Sequence, residues 1–205
     1  MDNYLKMEYQ EENIKLDLLE KNDNMTNYYF FKRYFTNEQI EGIKELASHY
    51  PAIDGNVSGS INKSYRTSEI NWMPLNKETH YLYENLLRLA KKANKEMWNF
   101  HLSTIKDDLQ FTTYKAENEG HYDWHMDFGG ERSSTRKLSM VVQLSDPDDY
   151  TGGKLQFMIN REIINAPNQK GTVIFFPSYL MHRVTKIESG TRNSLVCWFH
   201  GPPFV

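Results

Sequence analysis

The sequence predicts a mainly β fold with helices toward its N-terminal side, an α+β chain whose C-terminal half forms a β-sandwich or barrel. Two observations support this prediction. Before residue 109, apolar residues recur at helical spacing in two long stretches. From residue 109 onward, short apolar-alternating runs are separated by Gly, Asp, Pro and Asn, which is typical of strands and turns. No linker-like composition separates the halves, so we expect a single domain over residues 1–205.

The composition fits a globular protein and excludes several kinds of site. Hydrophobic residues make up 39% of the chain and aromatic residues 14%, which is typical of a packed core rather than of disorder. The net charge of -3 gives no reason to expect nucleic acid or an anionic membrane as a partner. The single cysteine, Cys197, excludes an internal disulfide and a Cys-based zinc site, and favours a reducing compartment. Because no signal-peptide order and no membrane-length apolar run is present, we expect a cytoplasmic protein.

The N-terminal half divides into an acidic extension and a helical region. Residues 1–27 are polar and mostly acidic, and residues 14–19 within them could form a short strand or a docked helix. The pair Thr36 and Gln39 has the capping-box pattern, which predicts a helix over residues 37–49 that stops before Pro51. Residues 51–64 have the composition of a loop, and residues 65–72 form a polar-aromatic strand or loop. A second helix over residues 77–100 completes a helical support region, residues 28–108.

The remaining residues, 109–205, are predicted to form the β core. We expect strands near residues 109–117, 120–126, 136–144, 153–160, 162–165, 171–176, 181–187 and 191–199. Many short strands with turn signals between them are typical of a sandwich or barrel.

One stretch of this half, residues 121–127, alternates potential metal ligands with bulkier residues. In an extended strand, alternate side chains point to one face. That face would carry four ligand candidates, namely His121, Asp123, His125 and Asp127. Two imidazoles and two carboxylates are costly to bury together unless a cation lies among them. The stretch contains two overlapping His-x-Asp pairs, and the pattern by itself leaves open which pair binds a metal.

A third ligand candidate and an anion-binding pair follow later in the chain. His182 lies just beyond a strand and a turn at Pro177, and Arg192 and Ser194 share one face of the last predicted strand. Two imidazoles and one carboxylate suit a non-heme Fe(II) oxygenase, because they leave three positions of an octahedron open. Zinc more often has tetrahedral ligation rich in nitrogen or sulfur. Arg192 and Ser194 together could hold a carboxylate.

The ordered set of His-x-Asp, a His about fifty residues later and an Arg-x-Ser about ten residues further on resembles the Fe(II)/2-oxoglutarate-dependent dioxygenases. Several further segments resemble the prolyl-4-hydroxylase-like branch more closely. They are Tyr114, residues 121–127, Gly152-Gly153-Lys154-Leu155, the run from Phe176-Pro177 to His182, and Arg66-Thr67-Ser68 leading to Trp72. The resemblance covers roughly residues 28–203.

The resemblance implies a double-stranded β-helix (jelly-roll) core and an enzyme that uses Fe(II), 2-oxoglutarate and O2, with ascorbate as a candidate reductant. In this branch the metal pair follows a Tyr-x-x-His-x-Asp-like run, which selects His125 and Asp127, with His182 as the distal ligand. Arg192 would hold the 5-carboxylate of 2-oxoglutarate, with help from Ser194 and Tyr114. Animal collagen-type prolyl hydroxylases have Lys at the position of Arg192, so the chain resembles a bacterial or viral side-branch.

Four residues are predicted to border the substrate pocket: His121, Arg66, Trp72 and Tyr122. The glycine-hinged loop over residues 129–136 could be a lid over the substrate. An ordinary mobile surface loop is an equal alternative for this segment.

The leading functional hypothesis is an oxygenase that hydroxylates a prolyl residue in a peptide or protein and releases succinate and CO2. Hydroxylation of a free amino acid or another small molecule is the alternative, which a compact chain permits. Three other readings are disfavoured. A non-catalytic cupin-like binding module would not need the three ligands and Arg192, a halogenase would lack Asp127, and a nucleic-acid demethylase would carry a basic surplus.

Overall fold

The computed structural model describes residues 27–55 and 62–203 of the chain. The strand or helix expected at residues 14–19 lies outside these ranges. The described part contains two α-helices, α1 (Asn37–Ser48) and α2 (His80–Met97). Thirteen strands accompany them: β1 (Tyr29–Phe31), β2 (Ala52–Asp54), β3 (Arg66–Thr67), β4 (Glu69–Met73), β5 (Leu109–Lys115), β6 (His121–His125), β7 (Arg136–Gln143), β8 (Tyr150–Gly152), β9 (Leu155–Ile159), β10 (Glu162–Asn165), β11 (Val173–Pro177), β12 (His182–Val184) and β13 (Ile187–His200).

The strands form two sheets. The larger sheet has the order β1-β11-β7-β13-β5-β4-β2, with β8 pairing to β13 beside this path. The smaller sheet has the order β10-β9-β12-β6-β3. All pairings between the described strands are antiparallel. The two sheets face each other across an aromatic and aliphatic core that includes Phe157, Phe176 and Tyr114, which confirms the predicted jelly-roll architecture.

The helices cover the outer face of the larger sheet. The capping box at Thr36 forms as predicted, because the Thr36 hydroxyl accepts from the Gln39 amide and the Gln39 side chain accepts from the Thr36 amide. Apolar residues of α1 and α2 then bury against the sheet in one continuous core, with Ile40, Ile43 and Leu86 among the least exposed. Burial of one such aliphatic side chain contributes about 1.5–3 kcal/mol to the stability of the fold.

Strand alternation decides which side chains face the helices and which face the interior between the sheets. In β7, Leu138, Met140 and Val142 belong to the helix-side core, whereas Val141 belongs to the core between the sheets. The same alternation puts Leu195 of β13 on the helix side. The polar residues that occupy the intervening positions therefore point toward the space between the sheets.

The structure differs from the sequence prediction at the short strands. The predicted helical support region also supplies β1 to β4, of which only the segment at residues 65–72 was anticipated in part. These strands span two to five residues, which is too short to show a period in the sequence. The strands predicted at residues 181–187 and 191–199 have other boundaries in the structure. β12 ends at Val184, and β13 runs without interruption from Ile187 to His200.

Neither helix of the described ranges is both long enough and apolar enough to cross a membrane.

Candidate metal and cosubstrate site

The folded chain brings together His125, Asp127 and His182. One potential ligand atom from each residue lies within 4.8 Å of the others. The sheet causes this proximity, because His182 at the start of β12 is the direct cross-strand partner of His125 at the end of β6. Asp127 follows β6 by two residues, and its backbone amide donates to the Ser178 carbonyl at 2.9 Å.

Backbone contacts fix the tautomers of both imidazoles. The His125 Nδ1 lies 2.7 Å from the Asp123 carbonyl oxygen, and the His182 Nδ1 lies 2.9 Å from the Leu180 carbonyl oxygen. Because a carbonyl only accepts, each Nδ1 carries a proton, and a neutral ring in this tautomer presents the lone pair of its Nε2. The Nε2 atoms lie 3.8 Å and 3.6 Å from the carboxylate oxygens of Asp127. This is the orientation that metal-binding histidines adopt.

The charges of the buried ligand candidates suit a bound cation. Burial, together with the nearby His182, lowers the pKa of His125 to about 3, so its imidazole is neutral at neutral pH. Burial by itself would raise the pKa of Asp127, but the hydrogen bond from the Ser139 hydroxyl and the positive charge of Arg136 favour the ionised form, and the pKa is lowered. A buried carboxylate beside two lone pairs is a donor set that suits a divalent cation.

A buried arginine lies in the same interior space. Arg192 is 1% exposed, and its Nη2 donates to the Gln143 side-chain oxygen at 2.8 Å. Its Nε and Nη1 atoms are buried and have no hydrogen-bond partner among the described residues. The guanidinium carbon lies 5.6 Å from the centre of the Tyr114 ring. A buried guanidinium with unpaired donors is costly, and a bound carboxylate would satisfy it.

Gly153 allows the chain to pass close to this arginine. It adopts a φ of +54°, a conformation that favours glycine. A Cβ atom at this position would collide with Ile187 and lie 3.1 Å from the Arg192 Cδ. The Gly152-Gly153 pair therefore shapes the wall behind Arg192.

One cavity of about 990 Å³ connects the three clustered residues with Arg192. Several of its lining side chains are apolar, including Val141, Leu155, Val184 and Val196. Tyr114 and Ser194 border the cavity near Arg192, and both are buried. Arg66, Trp72 and Tyr122 also line it, as do residues 129–133 of the predicted lid loop.

The alternation predicted for residues 121–127 is wrong at one point, because β6 contains a β-bulge. His125 pairs with His182 and Tyr122 pairs with Val184, so two residues of β6 lie opposite the single residue Arg183. A bulge of this kind changes which face the following side chains occupy. As a result Tyr122 joins His125 at the cavity, and their rings stack with centroids 3.5 Å apart.

The bulge also takes the first His-x-Asp pair away from the metal cluster. The His121 ring contacts the carbonyl oxygens of Glu119 and Ser64 at 2.7 Å and 3.3 Å, and His121 is not among the residues that line the large cavity. Asp123 is exposed, and its carboxylate accepts from the Trp124 amide at 2.8 Å. The prediction of His121 as a pocket residue therefore finds no support in the geometry.

Sequence reasoning missed three residues around the site. They are Ser139, Gln143 and Ser178. Ser139 and Gln143 did leave a signal, since they are polar residues on the same face of the otherwise apolar run over residues 138–143. The Arg136 guanidinium lies 3.9 Å from the Trp198 ring centre, and no local pattern predicts this contact across the sheet.

Comparison with known proteins gives matches to one superfamily of oxygenases. The sequence model of the 2OG-Fe(II) oxygenase superfamily matches residues 109–200, which contain the three clustered residues and Arg192. A PKHD-type hydroxylase of Synechococcus sp. (strain CC9311) is 28% identical over 163 residues, covering 76% of this chain and 70% of the relative. These matches support a 2OG-Fe(II) oxygenase. This oxygenase is also 29% identical over 179 residues to a PKHD-type hydroxylase of Prochlorococcus marinus (strain AS9601), covering 83% of the chain and 76% of the relative.

Solved structures with the same fold include prolyl hydroxylases. A Pseudomonas putida prolyl-4-hydroxylase superposes on the oxygenase with a TM-score of 0.68 and 16% identity, covering 86% of this chain and 93% of the other. A Trichoplax adhaerens prolyl hydroxylase, solved with a peptide fragment of the hypoxia inducible factor oxygen degradation domain, gives a TM-score of 0.72 and 14% identity over 86% and 84% of the two chains. Fe(II), 2-oxoglutarate and O2 are the cofactor and cosubstrates of this prolyl-4-hydroxylase-like oxygenase.

Proposed function

We propose that this oxygenase hydroxylates a prolyl residue in a peptide or protein, with succinate and CO2 as co-products. In this proposal His125, Asp127 and His182 hold Fe(II). Arg192 pairs with the 5-carboxylate of 2-oxoglutarate, and Tyr114 and Ser194 border the same cosubstrate. The bound iron would activate O2 with 2-oxoglutarate as the cosubstrate that is oxidised, and the protein would hold the reacting groups in position.

One observation carries the metal and cosubstrate assignments. The two imidazoles, the carboxylate and the unpaired guanidinium donors all open into a single cavity. Arg192 supplies a buried positive charge away from the three clustered residues, and apolar side chains line the space between. A five-carbon dicarboxylate has the matching chemistry, with a charged group at each end and methylene carbons between them.

The likeness to prolyl hydroxylases supports the substrate. The Trichoplax relative with a similar fold was solved with a peptide fragment. In this oxygenase the cavity has room for more than 2-oxoglutarate, and its lining includes Trp72, Trp198 and the Arg136 guanidinium that lies over the Trp198 ring. Aromatic faces suit the apolar ring of proline, and a guanidinium suits a peptide carbonyl.

The residues around the cavity have separate tasks during turnover. The Nδ1 hydrogen bonds of His125 and His182 keep each Nε2 directed at the metal position. Arg192 anchors one end of 2-oxoglutarate and thereby orients its keto acid end. The apolar side chains of the lining, such as Val141 and Leu155, would contact the methylene carbons of 2-oxoglutarate.

The test is anaerobic loading of the protein with Fe(II) and 2-oxoglutarate, followed by O2 in the presence or absence of proline-containing peptides. We expect peptide-stimulated succinate formation and a mass gain of one oxygen atom on the peptide. Hydroxylation of a free amino acid in the same assay, with no peptide stimulation, would favour the small-molecule alternative. Absence of any iron-dependent 2-oxoglutarate turnover would contradict the whole proposal.

A further inference from the structure

Two buried serines form a hydroxyl chain that ends on Asp127. The Ser139 Oγ donates to the Asp127 Oδ2 at 2.7 Å, and the Ser178 Oγ lies 2.9 Å from the Ser139 Oγ. Ser139 is 0% exposed and Ser178 is 1% exposed. Bulk water therefore cannot replace either hydroxyl in these contacts.

The direction of the chain follows from the chemistry of its end. An ionised carboxylate only accepts hydrogen bonds, so Ser139 must give its single hydroxyl proton to Asp127. The Ser139 oxygen is then free to accept, and Ser178 is the donor in the second contact. Charge-assisted hydrogen bonds of this kind are stronger than neutral ones. Both hydroxyls are thus oriented by the carboxylate.

Backbone contacts hold the same residues from the other side. The Ser178 carbonyl accepts from the amides of Asp127 and Phe128, both at 2.9 Å, and the Ser178 amide donates to the Lys137 carbonyl at 3.0 Å. Ser178 is one residue beyond β11 and four residues before His182. It therefore connects β7, the segment that carries Asp127 and the segment that carries His182.

We propose that Ser139 and Ser178 are positioning residues that fix the Asp127 carboxylate as a ligand through one oxygen. This inference deepens the proposed function and rests on the assignment of Asp127 as a metal ligand. With Oδ2 engaged by Ser139, rotation of the carboxylate plane would break a buried charge-assisted bond. Oδ1 is the oxygen left to the metal, and bidentate binding is disfavoured.

The test measures metal binding without turnover, using Co(II) as an air-stable probe of the Fe(II) site. We expect Ser139→Ala to weaken Co(II) binding by about 10–100-fold, the range for residues that orient metal ligands. Its visible Co(II) absorption should also change, because release of Oδ2 alters the coordination number. Ser178→Ala should weaken binding less, since it acts through Ser139. Ser139→Thr restores a hydroxyl and should recover most of the affinity and the original spectrum.

Ser145→Ala is the matched control. Ser145 is also a buried serine, with hydrogen bonds to Thr191 and Asn193, but it does not line the large cavity. The Ser145→Ala variant should lose stability without changing its Co(II) affinity or spectrum.

Ser139→Ala with affinity and spectrum equal to those of the wild type would overturn the positioning role while leaving the metal site intact. If Ser139→Ala does not fold, unchanged Co(II) binding by Ser178→Ala would contradict the positioning role of the two serine hydroxyls. Failure of the wild type to bind Co(II) would overturn the proposed metal site as well.

Discussion

At the scale of single residues, the two histidines of the first ligand-rich stretch have different environments. The His125 Nε2 faces Asp127, whereas both ring nitrogens of His121 contact carbonyl oxygens away from the cavity. We predict that His125→Ala, Asp127→Ala or His182→Ala each lowers Fe(II) affinity by at least about 100-fold, more than loss of an orienting residue. His121→Ala should keep its iron and part of its turnover. Metal content after anaerobic loading measures this, and equal losses at positions 121 and 125 would contradict the assignment.

A second residue-scale prediction concerns Gln143. Its side-chain oxygen accepts from the Arg192 Nη2, and its side-chain nitrogen donates to the Pro167 carbonyl at 3.1 Å. Because a hydrogen bond to a charged group contributes about 1.5–3 kcal/mol, Gln143→Leu should raise the KM for 2-oxoglutarate roughly 10-fold or more without changing iron affinity. Gln143→Glu should raise it further, because a carboxylate there would compete for the guanidinium. Tighter 2-oxoglutarate binding by Gln143→Glu would contradict this role for Arg192.

At the scale of elements, Tyr65 fastens the β6 bulge. Its hydroxyl donates to the Trp124 carbonyl at 2.6 Å, and its carbonyl accepts from the Asp123 amide at 2.8 Å. These partners, Asp123 and Trp124, are the two bulge residues that lie opposite Arg183. Tyr65→Phe should lower the free energy of unfolding by about 0.5–1.5 kcal/mol, the typical net contribution of one hydrogen bond. Denaturant unfolding measures this change. Tyr81→Phe on the exposed side of α2 is the control and should stay within about 0.5 kcal/mol of the wild type.

At the scale of the whole molecule, Asp107 ties the end of the last strand to the loop beside the cavity. Its carboxylate lies 3.0 Å from the His200 Nε2, 2.9 Å from the Arg136 Nη2 and 3.3 Å from the Arg132 Nε. The Thr135 hydroxyl contacts the other nitrogen of His200 at 2.9 Å. The predicted lid loop is therefore anchored at its C-terminal end. Whether it closes over a substrate stays a prediction.

This anchor should make stability depend on pH. Burial opposes ionisation of Asp107, but His200 and Arg136 outweigh it and hold the folded-state pKa below the ordinary value. A lowered pKa stabilises the fold above the unfolded-state pKa of about 4, and this stabilisation disappears as the pH falls through the folded-state pKa. Asp107→Asn should lower the free energy of unfolding at pH 7 by about 2 kcal/mol and flatten its decline in acid. Urea unfolding at several pH values measures both effects, with exposed Asp108→Asn as the control. An unchanged acid profile in Asp107→Asn would show that other carboxylates dominate.

Local patterns in the sequence are sufficient to predict the class of fold and the residue types of the site. Capping residues and helical periodicity are local, so α1 and α2 could be predicted to within a few residues. The residues His125, Asp127, His182 and Arg192 could be recognised because their types, order and spacing are visible in the sequence. Strand alternation likewise follows from the chain alone.

Which of these side chains meet depends on how the strands pair in the folded chain. The bulge in β6 depends on pairing with β3 and β12, and it reversed the expected face of Tyr122 and removed His121 from the cavity. Ser139, Gln143 and Ser178 became part of the site through contacts with residues that lie 12 to 49 positions away in the sequence. Such partners have no local signature, because a hydroxyl or amide acquires its role from the buried charge that it meets.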